Sequence, residues 1–347
     1  MNLYIMKRCL SKSSVAVFAV LLLFFLFAAN VFWGSVDIPA NSVLSAISGG
    51  GSGYGPWDII IFESRLPQAL TALLAGASIS VAGLLLQTLF RNPLAGPEVL
   101  GVNGGAGLGV AVVMLLFQGA FLVDGINFGG HVAVLAGAFI GSSMIMAVIL
   151  FFSMLLRNNI FLLIAGVAVS YIVSSAVSLL NYSATSEGVH SFMVWGMGSF
   201  SAVTMEQMSL FAPLLLFLLC CSLLLTKKLD AMLLGDMYAR NLGINVESVR
   251  LSALAVTGMM TAVVTAYCGP VSFLGLAVPH IARLSFGSNS HKWLLPAVIL
   301  LGGAVALLCN LICQLPGESG VLPLGAVTPL IGAPVIIYVV LRNRNAG

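Results

Sequence analysis

Long stretches without a charged residue dominate this 347-residue chain. Asp, Glu, Lys and Arg are all absent from residues 66–90, 99–123, 251–282 and 293–317. A helix that crosses a bilayer needs roughly 20 apolar residues, and each of these stretches can hold one. The chain is 60% apolar and 7% charged, whereas about a quarter of the residues in a soluble domain are charged. We therefore predict an all-α polytopic membrane protein that forms one transmembrane domain over residues 1–347.

Dividing the chain at its charged and proline-rich segments predicts ten membrane helices. They lie at about residues 13–33, 64–89, 98–118, 131–155, 159–182, 206–226, 248–268, 273–286, 294–313 and 325–342. Gly269-Pro270 separates the seventh from the short eighth. The longest segment outside these helices, residues 34–63, contains a glycine-rich run and is expected to be a flexible or partly helical surface loop.

Basic residues indicate the orientation of these helices. With ten spans and an N-terminus on the inner side, 13 of the 14 Lys and Arg residues fall inside and only Arg65 falls outside. Cytoplasmic loops carry an excess of Lys and Arg, so both termini are predicted to be cytoplasmic in a multi-pass inner (plasma) membrane protein. Lys7, Arg8 and Lys12 before an apolar run also fit a secretory signal. The run at 15–33 is longer than usual for a signal, which favours an uncleaved anchor.

One polar segment interrupts the apolar sequence. Residues 227–250 hold seven of the 25 charged residues in 24 positions. We expect two short helices here. The second is predicted to begin at Gly235-Asp236, with the Asp236 carboxylate capping it, and to end at Gly243. Such short helices are unstable alone, so their apolar side chains suggest a knob that fits a groove in a partner. A solvated loop is the alternative. The side chains expected to be exposed are Met232, Leu233, Met237, Tyr238 and Leu242.

Prolines mark three further places. Asn92-Pro93-Leu94 lies between two apolar stretches at the inner side, where Pro93 forces a sharp turn. This is either a simple turn or a gate at which Asn92 and Leu94 meet their symmetry mates.

Pro279 lies in the eighth helix beside His280, which is a proton relay, a ligand or an interfacial histidine bonded to backbone. Arg283, one turn later, is expected to reach the headgroups or a partner. Residues 322–334 predict a kinked entry to the last helix.

Glycines and cysteines point to packing rather than chemistry. Gly101, Gly105 and Gly109 recur at every fourth position, as in helices whose backbones approach closely. No GxxxxGK[ST] phosphate loop occurs in the sequence. The six cysteines have no metal-binding or redox spacing, so no metal site is predicted.

Together these motifs resemble the FecCD-type permeases of ABC importers for ferric siderophores, haem and cobalamin. The resemblance covers about residues 60–342. The motifs that carry it are Arg65-Leu66-Pro67, Gln87…Asn92-Pro93-Leu94-Ala95…Leu100-Gly101, Gly275-Leu276…Pro279-His280…Arg283 and Leu322-Pro323…Gly325…Thr328…Gly332-Ala333-Pro334.

The resemblance implies a type II ABC importer permease fold of ten helices. It implies pairing with a second permease copy, a cytoplasmic ABC ATPase dimer that holds ATP and Mg, and an extracytoplasmic substrate-binding protein. The loop at about 229–247 then matches the coupling helices, and Asn92, Pro93 and Leu94 match the inner gate. Arg65 matches a position that receives acids of the binding protein; Gln68 stands where the family often has a second arginine. The implied ATPase-coupling residues are Gly235, Asp236, Met237, Tyr238, Arg240, Leu242 and Gly243.

The leading hypothesis is therefore an ATP-driven importer permease that catalyses no reaction and binds no cofactor itself. Its expected partners include the lipid bilayer but no nucleic acid. An ion-coupled secondary transporter is the alternative, although such carriers usually keep an ionisable residue at mid-membrane. An intramembrane enzyme fits poorly because the four histidines fall at different faces or ends. The cargo stays open among siderophore, haem and cobalamin, and a homodimer is favoured over a heterodimer. The candidate pathway residues on the fifth helix are Ser170, Ser174, Ser178, Asn181 and Tyr182.

Overall fold

The computed structural model describes residues 12–117, 120–123, 126–156, 159–315 and 320–344. Helices joined by turns and loops make up these residues, together with two short antiparallel strands, β1 (Ala120–Val123) and β2 (Ile126–Gly129). In chain order the helices are α1 (Lys12–Phe32), α2 (Ala40–Ile47), α3 (Gly55–Ile59), α4 (Leu66–Leu89), α5 (Val102–Ala111), α6 (His131–Leu155), α7 (Asn159–Ser183), α8 (Ser186–Gly196), α9 (Met205–Leu224), α10 (Thr226–Leu233), α11 (Asp236–Asn241), α12 (Val246–Cys268), α13 (Leu274–Phe286), α14 (His291–Cys313) and α15 (Leu324–Arg344). The predicted all-α membrane fold is confirmed.

The ten predicted membrane helices are all present. In the described part of the chain, seven helices are long and apolar enough to span a bilayer, and three shorter apolar ones occupy Val102–Leu116, Leu274–Phe286 and Leu324–Val339. Most of their ends agree with the sequence prediction within about three residues. The second span differs because a π-helical turn, Ile60–Arg65, joins α3 to α4 and extends the helix back to Gly55.

The segment at 34–63, expected to be a flexible or partly helical loop, is partly helical. It holds α2 and α3, separated by the glycine-rich run. Gly49, Gly51 and Gly53 all have positive φ angles, which a glycine adopts at no steric cost. The run is therefore a break between two short helices.

Helix α4 lies at the centre of the bundle, against α9, α12, α13 and α14. Small residues permit this close packing. A Cβ atom added to Gly76 would collide with Ala306 and the Gly302 carbonyl of α14, and one added to Gly83 would collide with the Gly275 carbonyl of α13. Close backbone approach of this kind drives helix association where lipid provides no hydrophobic force.

Helices α5 and α6 meet through the predicted glycine stripe. A Cβ atom on Gly105 would lie 2.6 Å from the Gly141 carbonyl oxygen, and one on Gly109 would collide with Gly137. The glycine spacing in α5 is therefore matched by a second glycine pair in α6. The packing interpretation of this stripe is confirmed.

The segments that carry the candidate coupling and gate residues meet at one end of the bundle. The end of α4, the α10–α11 segment, the end of α13 and the start of α14 lie together there, and they bring Arg91, Lys227, Lys228 and Arg283 to the same end. We call this end the basic face.

Candidate functional site

Helices α10 and α11 form a two-helix projection at the basic face, which we call the knob. Glycine conformation sets its boundaries. Gly235 has φ 117° and separates the helices, and Gly243 has φ 78° just beyond α11. The Gly243 amide donates to the Arg240 carbonyl at 2.9 Å, and the Ile244 amide to that of Ala239 at 3.0 Å. Both helix limits predicted from these glycines are confirmed.

The knob has an apolar surface that no described part of this chain covers. Met237 is 82% exposed and Tyr238 50% exposed, whereas Ala239 is fully buried against the bundle. Met232 was expected on the exposed surface, and this prediction is wrong because its side chain points into the core and is 2% exposed. The exposed apolar side chains of the knob and its flanks are Leu233, Leu234, Met237, Tyr238 and Leu242.

The sequence suggested that Asp236 caps α11, and this prediction is wrong. The cap position is Gly235, and no side chain bonds the first amides of the helix. Instead the Asp236 carboxylate forms an ion pair with Arg91, which also donates to the Met232 carbonyl at 3.3 Å. The guanidinium of Arg91 adds the attraction between two opposite charges, which a backbone amide does not supply.

The segment after α4, residues 91–95, is a tight turn; we call it the gate loop. Arg91 enters it with φ 47°, a left-handed conformation that is uncommon for a non-glycine residue. The Asn92 side-chain oxygen accepts the Leu94 amide at 2.9 Å, and its carbonyl accepts the Ala95 amide at 3.1 Å. Leu94 is left 50% exposed. The turn is confirmed, and the role of Asn92, Pro93 and Leu94 as a gate stays a prediction.

Helix α13 holds the gate loop from the other side. His280 Nε2 lies 2.9 Å from the Pro93 carbonyl oxygen, so this histidine is bonded to backbone, one of the three roles considered. Arg283 was expected to reach headgroups or a partner, but its guanidinium donates to Gln87 Oε1 at 2.6 Å. A cavity of about 320 Å³ lies between loop and helix, lined by Gln87, Arg91, Pro93, His280, Arg283, Leu284 and Val339.

A second polar cluster joins the knob to α4 and was missed by the sequence analysis. The Asp230 carboxylate accepts from the His291 amide at 2.6 Å, from His291 Nδ1 at 2.8 Å and from Ser290 Oγ at 2.9 Å. His291 Nε2 lies 2.8 Å from Thr88 Oγ1. Partial burial raises the pKa of the Asp230 carboxyl, but the hydrogen bonds from His291 and Ser290 outweigh it, and that pKa lies below its usual range.

The five candidate pathway residues of α7 do not share one environment. Ser174 and Ser178 are exposed and Tyr182 is 93% exposed, so these three form a stripe at four-residue spacing. Ser170 Oγ donates to the Gly166 carbonyl and lies close to Gly101, so this side chain faces the N-terminal end of α5. Asn181 donates to the Val177 carbonyl of its own helix and is half-buried.

The two candidate docking residues are buried. Arg65 is 4% exposed, and its guanidinium donates to the carbonyls of Val31, Phe32 and Val36 in the segment that ends α1. Gln68 is 8% exposed and is part of a ladder of side-chain amides. An incoming acid would have to displace three carbonyls from Arg65. The docking role of both residues stays a prediction.

That amide ladder links three helices. Gln68 Nε2 donates to Asn310 Oδ1 at 3.0 Å, Asn310 Nδ2 to Asn30 Oδ1 at 2.8 Å, and Gln314 Nε2 to Gln68 Oε1 at 3.1 Å. Asn30 lies in α1, Gln68 in α4 and Asn310 in α14, and Gln314 directly follows α14. Four amides bonded to one another inside an apolar bundle satisfy groups that lipid would leave unpaired.

Comparison with known proteins identifies relatives of this architecture. The FecCD transport family matches residues 21–342. The vitamin B12 import system permease protein BtuC of Klebsiella pneumoniae subsp. pneumoniae is 36% identical over 289 residues, which cover 83% of this chain and 84% of that protein. BtuC of Escherichia coli O9:H4 is 36% identical over 291 residues, covering 83% and 85%.

A solved structure has the same fold. An inward-facing metal-chelate type ABC transporter superposes with a TM-score of 0.80 at 27% identity, covering 93% of this chain and 97% of the other. The family match spans nearly all described helices, from within α1 to within α15. This chain belongs to the FecCD transport family.

Proposed function

We propose that this chain is the membrane permease of an ATP-driven importer. In this role it catalyses no reaction, and a separate cytoplasmic ATPase dimer holds the ATP and Mg. The basic face is the cytoplasmic side of a bacterial inner membrane, with both termini there, in accordance with the distribution of Lys and Arg. The observation that carries the proposal is the exposed knob, which is joined through Arg91 to the gate loop.

The knob is the docking element for the ATPase. Met237, Tyr238 and Leu242 present apolar surface on a helix of six residues. A helix this short gains stability when its apolar side chains fill a groove on a partner. The exposed Arg240–Glu247 ion pair connects α11 to the start of α12.

Helix α7 faces a second copy of the chain and the transport pathway. Only 17% of its apolar window is buried, although it is as hydrophobic as the central helices. Ser174, Ser178 and Tyr182 supply polar groups without charge, which suits a bulky chelate because no ionic contact holds it in place. Asn92, Pro93 and Leu94 then close the pathway at the cytoplasmic end.

The cargo we propose is a ferric siderophore, haem or cobalamin, delivered by an extracytoplasmic binding protein. The curated relatives import vitamin B12, and the solved structure belongs to a metal-chelate transporter. Arg65 and Gln68 lie below the outer surface on which this protein docks. A role in docking requires that Arg65 leave its three carbonyl partners.

Transport by reconstituted vesicles tests this proposal. The chain is combined with its ATPase and binding protein, and cargo uptake is measured with ATP, without ATP, and after collapse of the ion gradients. We expect uptake to need ATP and to survive collapse of the gradients. Uptake by the chain alone, driven by an ion gradient, would contradict the proposal and favour a secondary transporter.

Two substitutions in the knob test the docking assignment. Arg240→Glu reverses the charge, and Gly243→Val places a branched residue at φ 78°. Both are expected to lower cargo moved per ATP about tenfold, while the chain still inserts in the membrane. Arg240→Lys and Gly243→Asn are matched controls, because lysine keeps the charge and asparagine tolerates the left-handed conformation. Unchanged coupling in Arg240→Glu and Gly243→Val would remove the assignment.

A further inference from the structure

The knob is attached to the membrane bundle at two points that both lead to the end of α4. The first is the cluster of Asp230, His291 and Thr88, and the second is the ion pair between Arg91 and Asp236. Thr88 lies in the last turn of α4, and Arg91 enters the gate loop three residues later. A displacement of the knob therefore reaches the gate loop through side chains as well as along the backbone.

The first point of attachment is a buried three-residue relay. His291 is 1% exposed, and each of its ring nitrogens has a partner on a different helix. An ionised carboxylate only accepts hydrogen bonds, so the proton on Nδ1 points at Asp230. Nε2 lies 2.8 Å from the Thr88 hydroxyl, whose single proton is shared between Nε2 and the Leu84 carbonyl of α4, 3.0 Å away. The imidazole is thus held between α10 and α4.

The charges around this relay define its chemistry. Asp230 is partly exposed and remains ionised at neutral pH, as its hydrogen bonds favour the charged form. Arg283, from α13, shares with Thr88 and His291 a cavity of about 220 Å³, and it bonds Gln87 rather than Asp230. Among the described residues no lysine or arginine bonds the carboxylate, so His291 is its main partner.

The gate loop is held on its other side by α13. His280 bonds the Pro93 carbonyl, and Arg283 bonds Gln87, which lies next to Thr88. Gln87 also reaches the Leu276 carbonyl at 3.3 Å. The end of α4 is therefore clamped between the knob and α13, so the knob cannot shift without changing one of these contacts.

We infer that Asp230, His291 and Thr88 are positioning residues that transmit movement of the knob to the end of α4 and the gate loop. This inference rests on the proposed function, since it assumes that an ATPase moves the knob. The three residues touch neither cargo nor nucleotide. They couple the movement of α4 to that of α10. Their loss therefore reduces the cargo moved per ATP, whereas the rate of ATP hydrolysis is retained.

Four substitutions break the relay one link at a time. Thr88→Val removes a hydroxyl at nearly constant volume, and Asp230→Asn removes the charge. In His291→Asn the amide nitrogen occupies the place of Nδ1 and keeps the bond to Asp230, whereas in His291→Gln it occupies the place of Nε2 and keeps the bond to Thr88. Each variant loses a hydrogen bond of the relay or, in Asp230→Asn, the charge that strengthens one, and we expect each to lower cargo moved per ATP about tenfold, with ATPase binding and hydrolysis retained.

Controls separate transmission from general damage. Lys292→Ala changes the exposed residue next to His291, outside the knob, and is expected to match the wild type. Thr88→Ser keeps the hydroxyl and should restore coupling. The double variant Asp230→Asn with Thr88→Val should be no worse than either single variant, because a relay broken once transmits nothing. All variants are first checked for a monodisperse, membrane-inserted chain.

The outcomes are distinct from those that test the function. Wild-type cargo per ATP in both Thr88→Val and His291→Gln would overturn the inference, as would losses that add in the double variant. Failure of the wild-type chain to bind an ATPase, or uptake without ATP, would instead contradict the proposed function. Loss of coupling in the four variants with recovery in Thr88→Ser would support the relay.

Discussion

Helices α4 and α7 have 24 and 25 residues and nearly equal mean hydropathy, yet their surroundings in the structure are opposite. In the span that contains α4, 83% of the most apolar window is buried, and in α7 the figure is 17%. Neighbours enclose α4 because its small residues let their backbones approach it. Helix α7 leaves large side chains uncovered within this chain, including Tyr171, Ile172 and Leu179.

The difference shows that hydropathy indicates whether a helix lies in lipid, but not which helices pack against it. Both helices are apolar enough for lipid, so their sequences predict a membrane span in each case. Only the packing in the structure distinguishes a helix that other helices of this chain surround from a helix with one uncovered face. We expect substitutions in α4 to act on folding, and substitutions on the open face of α7 to act on transport.

The largest expected effect comes from the closest contact of α4. Gly83→Ala places a Cβ against the Gly275 carbonyl, and a backbone atom cannot move aside by changing rotamer. We expect a loss of about 3 kcal/mol in unfolding free energy, the upper part of the usual overpacking range. Thermal unfolding followed by fluorescence-detected size exclusion measures it. In the control Gly107→Ala nothing lies within 4 Å of the new Cβ, and equal melting temperatures would contradict the packing described for α4.

An intermediate effect is expected on the open face of α7. Ser178→Trp fills space next to the proposed pathway without touching the core, because Ser178 is exposed and bonds only the Ser174 carbonyl. We expect ATP-driven uptake to fall about tenfold, equivalent to about 1.4 kcal/mol, with an unchanged melting temperature. Ser178→Ala is the matched control and should transport normally. Normal uptake by Ser178→Trp would mean that this face does not line the pathway.

The smallest effect should come from the amide ladder. Asn310→Ala removes bonds between α14 and both Gln68 and Asn30, and we expect the chain to lose about 1 kcal/mol of stability, as is typical of such bonds between membrane helices. Asn181→Ala on α7 removes only a bond within its own helix and should change little. Chemical unfolding of both variants gives the comparison. Equal losses would show that the ladder does not hold helices together.

Local features of the candidate site could be predicted from the sequence. Gly235 and Gly243 define the limits of α11 because their backbone conformations are those that glycine alone adopts freely, and Pro93 enforces the turn of the gate loop. The helix ends followed from the spacing of charges and prolines. Each of these residues determines the backbone conformation only within a few residues of its own position.

Contacts between distant residues could not be predicted. Asp230 and His291 are 61 positions apart, and Gln68 and Asn310 are 242 apart. The same applies to Asp236, whose partner is Arg91 rather than its own helix, and to Met232, which packs inward. A polar residue in a short loop does not reveal which of several neighbouring loops it meets.

The sequence by itself determined that this chain lies in a bilayer, where its apolar helices lie and where one polar knob interrupts them, because charge is too costly to place at random in lipid. The tertiary structure alone decided which helix is enclosed, which face stays open and which buried groups are paired. Those outcomes depend on how closely backbones approach in three dimensions, and neighbours in space are here often far apart along the chain.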